Sequence, residues 1–94
     1  MATWKFPAFS FKILNEEERK TFGYNTPYEN GIVYIDDDQI WLKCPCGCEA
    51  LYKLNTYHDI KPKWKFIAPN TIHPSINHTA ECKSHFSIID GSVQ

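Results

Sequence analysis

At 94 residues, 43% of them hydrophobic and 15% aromatic, the chain is too short for two cores and too apolar for a disordered segment, so one domain over residues 1–94 is expected. Ten basic and eleven acidic residues leave a formal charge of −1, which excludes the long-range pull that nucleic acid or an anionic membrane would exert on a basic protein. No run reaches the ~20 apolar residues of a membrane span. The start of the chain, broken by Lys5 and Pro7, lacks the apolar stretch of a signal peptide, so the expected location is cytoplasmic.

In chain order, residues 9–14 carry aromatic and branched side chains in partial alternation, which predicts a first strand. Asn15, then Glu16, Glu17 and Glu18, then Arg19 and Lys20 follow the cap and charge order of a short helix. Residues 23–31, with Asn25, Pro27 and Asn30, read as a connection. Residues 32–35 and 39–43 predict a hairpin across the acidic turn of Asp36, Asp37 and Asp38. The second of these strands runs directly into a cysteine cluster, and residues 49–55 leave it as a further strand. Residues 61–66 alternate Lys61, Lys63 and Lys65 with Trp64 and Phe66, and Pro62 makes this an edge strand. Pro69-Asn70 and His73-Pro74 mark turns, with Ile72 and Ile76 reaching the core. Residues 85–89, Asp90-Gly91 and residues 92–93 predict a terminal hairpin.

All four cysteines fall into two short clusters, Cys44-Pro45-Cys46-Gly47-Cys48 and Cys82-Lys83-Ser84-His85. Two tight and distant donor groups are what a tetrahedral metal site needs, since each supplies corners and the ion closes the chain between them. Thiolate and imidazole select zinc or an iron–sulfur cluster over magnesium or calcium. Disulfides fit poorly, because Cys-x-Cys partners cannot bridge each other without strain. Five donors, Cys44, Cys46, Cys48, Cys82 and His85, compete for four corners. Cys82 and His85 have knuckle spacing and Cys44 opens the first turn. Its partner is Cys46 or Cys48, with the shorter Cys46 chelate preferred. One zinc ion per chain in a closed structural site is expected. An iron–sulfur cluster is the alternative cofactor, but a Rieske centre needs Cys-x-His in the first loop, where this chain has Cys-Pro-Cys.

The other candidate groups have plainer explanations. Cys82 and His85 as a nucleophile and base are better explained by shared metal. His58, His73 and His78 lack a paired acidic spacing and read as loop histidines. The three consecutive aspartates lack the downstream glutamate of a calcium loop. Lys61, Lys63 and Lys65 beside Trp64 suit a charged edge strand that resists aggregation more than a nucleic-acid surface. Lys43 and Lys83, next to the ligands, read as solvated lysines.

Lys43 to Cys48, Trp64, Thr71 to Ile76, Cys82 to Ile88 and Gly91 to Val93 together resemble a family of small bacterial and phage proteins with a Cys-Pro-Cys-Gly-Cys, Pro-Ser-Ile and Cys-x-Ser-His-Phe pattern. The likeness covers about the C-terminal two-thirds of the chain. Glu49 stands where the family pattern carries glycine. The resemblance implies a mainly β fold, a small antiparallel domain with two metal-ligand loops of zinc-ribbon or Rieske-like kind, to which the charge order after Asn15 adds one short N-terminal helix. Some relatives lie beside bacterial ubiquitin-like conjugation genes, which implies a partner-binding or accessory role. The expected function is a zinc-binding module without enzymatic activity, serving as a binding or accessory protein whose partner is another protein. A Rieske-like electron carrier and a nucleic-acid-binding zinc domain are the alternatives.

Overall fold

The structure, a computed structural model, describes residues 4–36, 38–48, 50–56, 63–77 and 85–94, with side chains at all of these except 74, 77 and 85. The fold is mainly β. In order the elements are β1 (Ser10–Ile13), α1 (Glu16–Thr21), β2 (Ile32–Ile35), β3 (Gln39–Lys43), β4 (Leu51–Asn55), β5 (Lys65–Ile67), β6 (Thr71–Asn77), β7 (His85–Ile89) and β8 (Ser92–Val93). They form two four-stranded sheets, each in sequence order: β1-β2-β3-β4 and β5-β6-β7-β8.

One pairing departs from the antiparallel expectation. β1 runs parallel to β2, with Ser10 opposite Ile32 and Ile13 opposite Ile35. Parallel neighbours need a long crossover, and residues 14–31, with α1 at their start, supply it. That helix begins as its charges foretold. The Asn15 side chain accepts from the Glu18 N–H at 2.8 Å, while the Asn15 N–H donates to the Glu18 carboxylate at 3.1 Å, a reciprocal cap that satisfies two otherwise unpaired donors.

The central strands of the first sheet, β2 and β3, are buried on both faces. Val33, Ile40, Leu42 and Leu54 join Ile72, Ile76, Phe86 and Ile88 of the second sheet in one core. Tyr34 and Trp41, at the alternate positions, pack with Leu14 and Tyr28 in a second cluster supported by Phe22. This is why β3 reads Ile-Trp-Leu without a polar break: a strand covered on both sides shows a continuous apolar run.

The two sheets are joined by the N-terminal segment. Ala8 bridges Ser92, the Val93 N–H donates to the Pro7 carbonyl at 2.8 Å, and the Phe9 N–H donates to that of Gly91 at 2.7 Å. The Ser10 N–H then donates to the Gly31 carbonyl at 2.9 Å, so the chain steps from the edge of the second sheet into the first. Asp90 and Gly91, with φ of 52° and 80°, make the two-residue turn between β7 and β8 that an Asp-Gly pair favours.

Two sequence expectations are corrected in the second sheet. His73-Pro74 is not a turn but lies inside β6, where the pairing with β7 becomes irregular between Ile72 and Ile76. Proline has no N–H for a ladder and is tolerated at such an irregularity. The strand expected over 61–66 is shorter and later, Lys65–Ile67; the Trp64 N–H donates to the Asn55 carbonyl at 2.8 Å, and residues 61 and 62 lie outside the described part.

Candidate metal centre and the β6–β7 face

β3 delivers Cys44 into the core, where it is fully buried. Its N–H donates to the Ala50 carbonyl at 2.9 Å and its own carbonyl accepts from the Gly47 N–H at 3.2 Å. These two bonds close the turn between β3 and β4. Gly47 has a φ of 91°, a conformation costly for any side chain. A Cβ there would also stand 2.7 Å from Cδ of Lys5, because the N-terminal segment crosses this turn. The Phe6 N–H fixes that crossing by donating to the Pro45 carbonyl at 2.9 Å.

The turn gathers all three of its sulfurs. The ligand atoms of Cys44, Cys46 and Cys48 lie within 4.8 Å of one another, and Sγ of Cys44 is 3.3 Å from that of Cys46. None of the three is in a disulfide. Sulfurs at two corners of a zinc tetrahedron stand about 3.8 Å apart, given Zn–S bonds of about 2.3 Å. The triad is therefore compatible with a metal ion after adjustment of about 1 Å or less. It runs from buried Cys44 through half-buried Cys46 to exposed Cys48, so an ion held there would sit at the edge of the core. The sequence left the partner of Cys44 open between Cys46 and Cys48; both thiols converge on it.

The second expected ligand group is only partly described. Cys82 lies outside the described residues. His85 opens β7 with its backbone opposite Asn77, and its side chain is not described. Of the other histidines, His73 is exposed on β6, while His58 and His78 lie outside the described part. In the acidic turn Asp36 accepts from Gln39 Nε2 at 3.3 Å and stands 4.0 Å from Nε of Arg19, structural uses for a side chain that is only 9% exposed and so less solvated than the sequence suggested. Lys63 and Lys65 are exposed.

Sequence reasoning assigned no chemistry to the serines. Ser75 is exposed on β6 within the irregular stretch, one position before the buried and paired Ile76 and Phe86. Its carbonyl accepts from the Trp64 indole at 3.3 Å. The one available signal was its place in Pro74-Ser75-Ile76 of the family pattern. On the α1 side of the first sheet, a cleft of about 620 Å³ is lined by residues including Phe22, Tyr24, Pro27 and Tyr34. Among the described residues no cysteine, histidine or serine lines it.

Comparison with protein families matches residues 17–94 to a family described as "Bacterial ubiquitination-like system serine protease (BubE)". The matched span takes in α1 from its second residue, every strand but β1 and both cysteine clusters. No curated protein and no solved structure matches the chain. The family description overturns the expectation of a protein without enzymatic activity, since it names a protease. Closely spaced metal ligands stand out in local sequence, whereas a serine outside a Gly-x-Ser-x-Gly signature, as every serine here is, does not. Among the described residues no helix is long and apolar enough to cross a membrane.

Proposed function

Because the chain belongs to the BubE family, we propose that it is a hydrolase of a bacterial ubiquitination-like system, cleaving an amide bond of a ubiquitin-like protein through a serine nucleophile. The family match across residues 17–94 carries this reading. The partner is accordingly another protein, met as substrate, and the reduced thiols suit a cytoplasmic setting.

The cysteine centre is the scaffold of that activity. Cys44, Cys46 and Cys48, drawn together in the β3–β4 turn, supply three corners of one zinc site and Cys82 the fourth. A set of four thiolates is closed to water, so the ion is structural and supplies a cross-link rather than a Lewis acid. It ties the β3–β4 turn to the chain that leads into β7. With four sulfurs around the metal, His85 stands outside the coordination shell.

The test is to incubate the purified protein with the ubiquitin-like protein of its own system, bearing a C-terminal extension, and follow the masses of the products. A single cleavage that zinc-saturated protein performs, and that a fluorophosphonate blocks, is the expected result. Intact substrate after incubation with zinc-replete protein would refute the hydrolase. Elemental analysis finding iron with sulfide would refute the zinc.

A further inference from the structure

We infer that the nucleophile is Ser75 and that His85 is its general base, an assignment that rests on the hydrolase reading above. Three observations converge on Ser75. It is exposed, although its strand is central in the second sheet. It lies in the stretch between Ile72 and Ile76 where the β6–β7 register breaks, and such irregularities re-aim side chains beside active sites. Its backbone is held from the side by the Trp64 indole, which gives the hydroxyl a fixed base to act from.

The ladder supplies the partner. Ile76 pairs with Phe86 and Asn77 with His85, so position 85 is the diagonal neighbour of position 75. Diagonal neighbours are roughly 7–8 Å apart at the backbone, within reach of a long or aromatic side chain. His73, two residues before Ser75, lies on the other side of Pro74 in the same irregular stretch. Position 85 belongs to a regular pair, Asn77 with His85, beyond that irregular stretch, so its backbone place beside β6 is fixed by the ladder.

The chemistry balances within these two groups and water. The Ser75 hydroxyl oxygen attacks the amide carbon as His85 takes its proton. The new C–O bond forms, the C–N bond breaks, and His85 returns the proton to the leaving amine. Water, deprotonated by His85, then attacks the acyl ester; the acid product leaves and the Ser75 hydroxyl is restored.

The probe is a biotinylated fluorophosphonate, with labelling rate and labelled peptide read by mass spectrometry and zinc content measured on every sample. Wild-type protein should be labelled on the β6 peptide. Ser75→Ala should abolish the label, and Ser84→Ala and Ser87→Ala should keep it. His85→Gln should slow labelling by about 100-fold or more while retaining one zinc per chain. Label on Ser84 or Ser87 would overturn the assignment and leave the hydrolase standing. Loss of zinc from His85→Gln would make His85 a ligand and overturn its role as base. Undiminished labelling of His85→Gln, with a slowed His73→Gln, would move the base to His73. No label on any serine of zinc-replete protein would overturn the hydrolase reading as well.

Discussion

The Trp64 indole N–H donates to the Ser75 carbonyl across 3.3 Å, joining the residue just ahead of β5 to the irregular part of β6. The bond lies just before β5 begins, since the first residue of that strand, Lys65, pairs with His73. Trp64 also packs against the main core. Its ring is thus held by burial and its N–H is available to position backbone.

Trp64→Phe should therefore separate the two roles. The replacement keeps an aromatic ring against the core and removes the donor. Fluorophosphonate labelling of Ser75 should slow by about tenfold, because small displacements of a reacting group are costly. The melting temperature should fall only slightly, since one half-exposed hydrogen bond contributes about 1 kcal/mol or less. An unchanged labelling rate would show that the indole bond does not set the position of Ser75.

The convergence of three thiols makes a second prediction about zinc affinity. Cys44→Ser, Cys46→Ser and Cys48→Ser should each weaken binding by more than about 100-fold, beyond the loss typical of an outer-sphere partner. A competitive titration with a chromogenic chelator measures all three. Wild-type affinity in Cys48→Ser would place that thiol outside the coordination shell. Chelation should also abolish the cooperative melt, because a structural zinc contributes on the order of 10 kcal/mol, comparable to the whole stability of a small domain.

The β7–β8 turn gives a stability prediction independent of metal. Gly91 has a φ of 80°, and a Cβ there would stand 3.2 Å from the Phe9 carbonyl oxygen and 3.2 Å from the Asn70 side-chain amide. Backbone strain and crowding act together, so Gly91→Ala should cost about 1–3 kcal/mol. Gly23→Ala is the matched control, since nothing lies within 4 Å of its Cβ position. Equal melting temperatures for the two variants would contradict the account of this turn.

The cap of α1 sets a pH dependence. Lys12 Nζ lies 2.7 Å from the Glu18 carboxylate; that hydrogen bond, followed by the one from the Asn15 N–H, holds the Glu18 carboxyl below the usual glutamate range. The same pairing, led by the hydrogen bond to Glu18, raises Lys12. A depressed acid stabilises fully above its unfolded value and loses that contribution as pH falls through the folded one. A raised base stabilises fully below its unfolded value and loses it as pH rises through the folded one. The cap should thus hold from mildly acidic to mildly alkaline pH. Carboxyl titration by NMR should show Lys12→Ala moving Glu18 upward; an unmoved Glu18 would assign its shift to Asn15 instead.

Much of the architecture was legible in the chain itself. The Asn15 cap, the β2 and β3 runs, the alternation of β4 and the Asp-Gly turn before β8 all rest on interactions spanning a few residues, and local patterns report them faithfully. So does the cysteine cluster, whose spacing makes sulfurs converge wherever the turn is placed. The parallel seat of β1, the second buried face of β3 and the passage of β6 straight through His73-Pro74 were decided by tertiary structure. Each depends on a neighbour distant in sequence: β2 for β1, the Leu14–Tyr28 cluster for Trp41, and β7 for β6. The same holds for the chemistry. Thiols a few residues apart mark a candidate metal site by themselves, whereas Ser75 gains its candidate base only when β6 and β7 pair, because the register that brings positions 75 and 85 together belongs to neither strand alone.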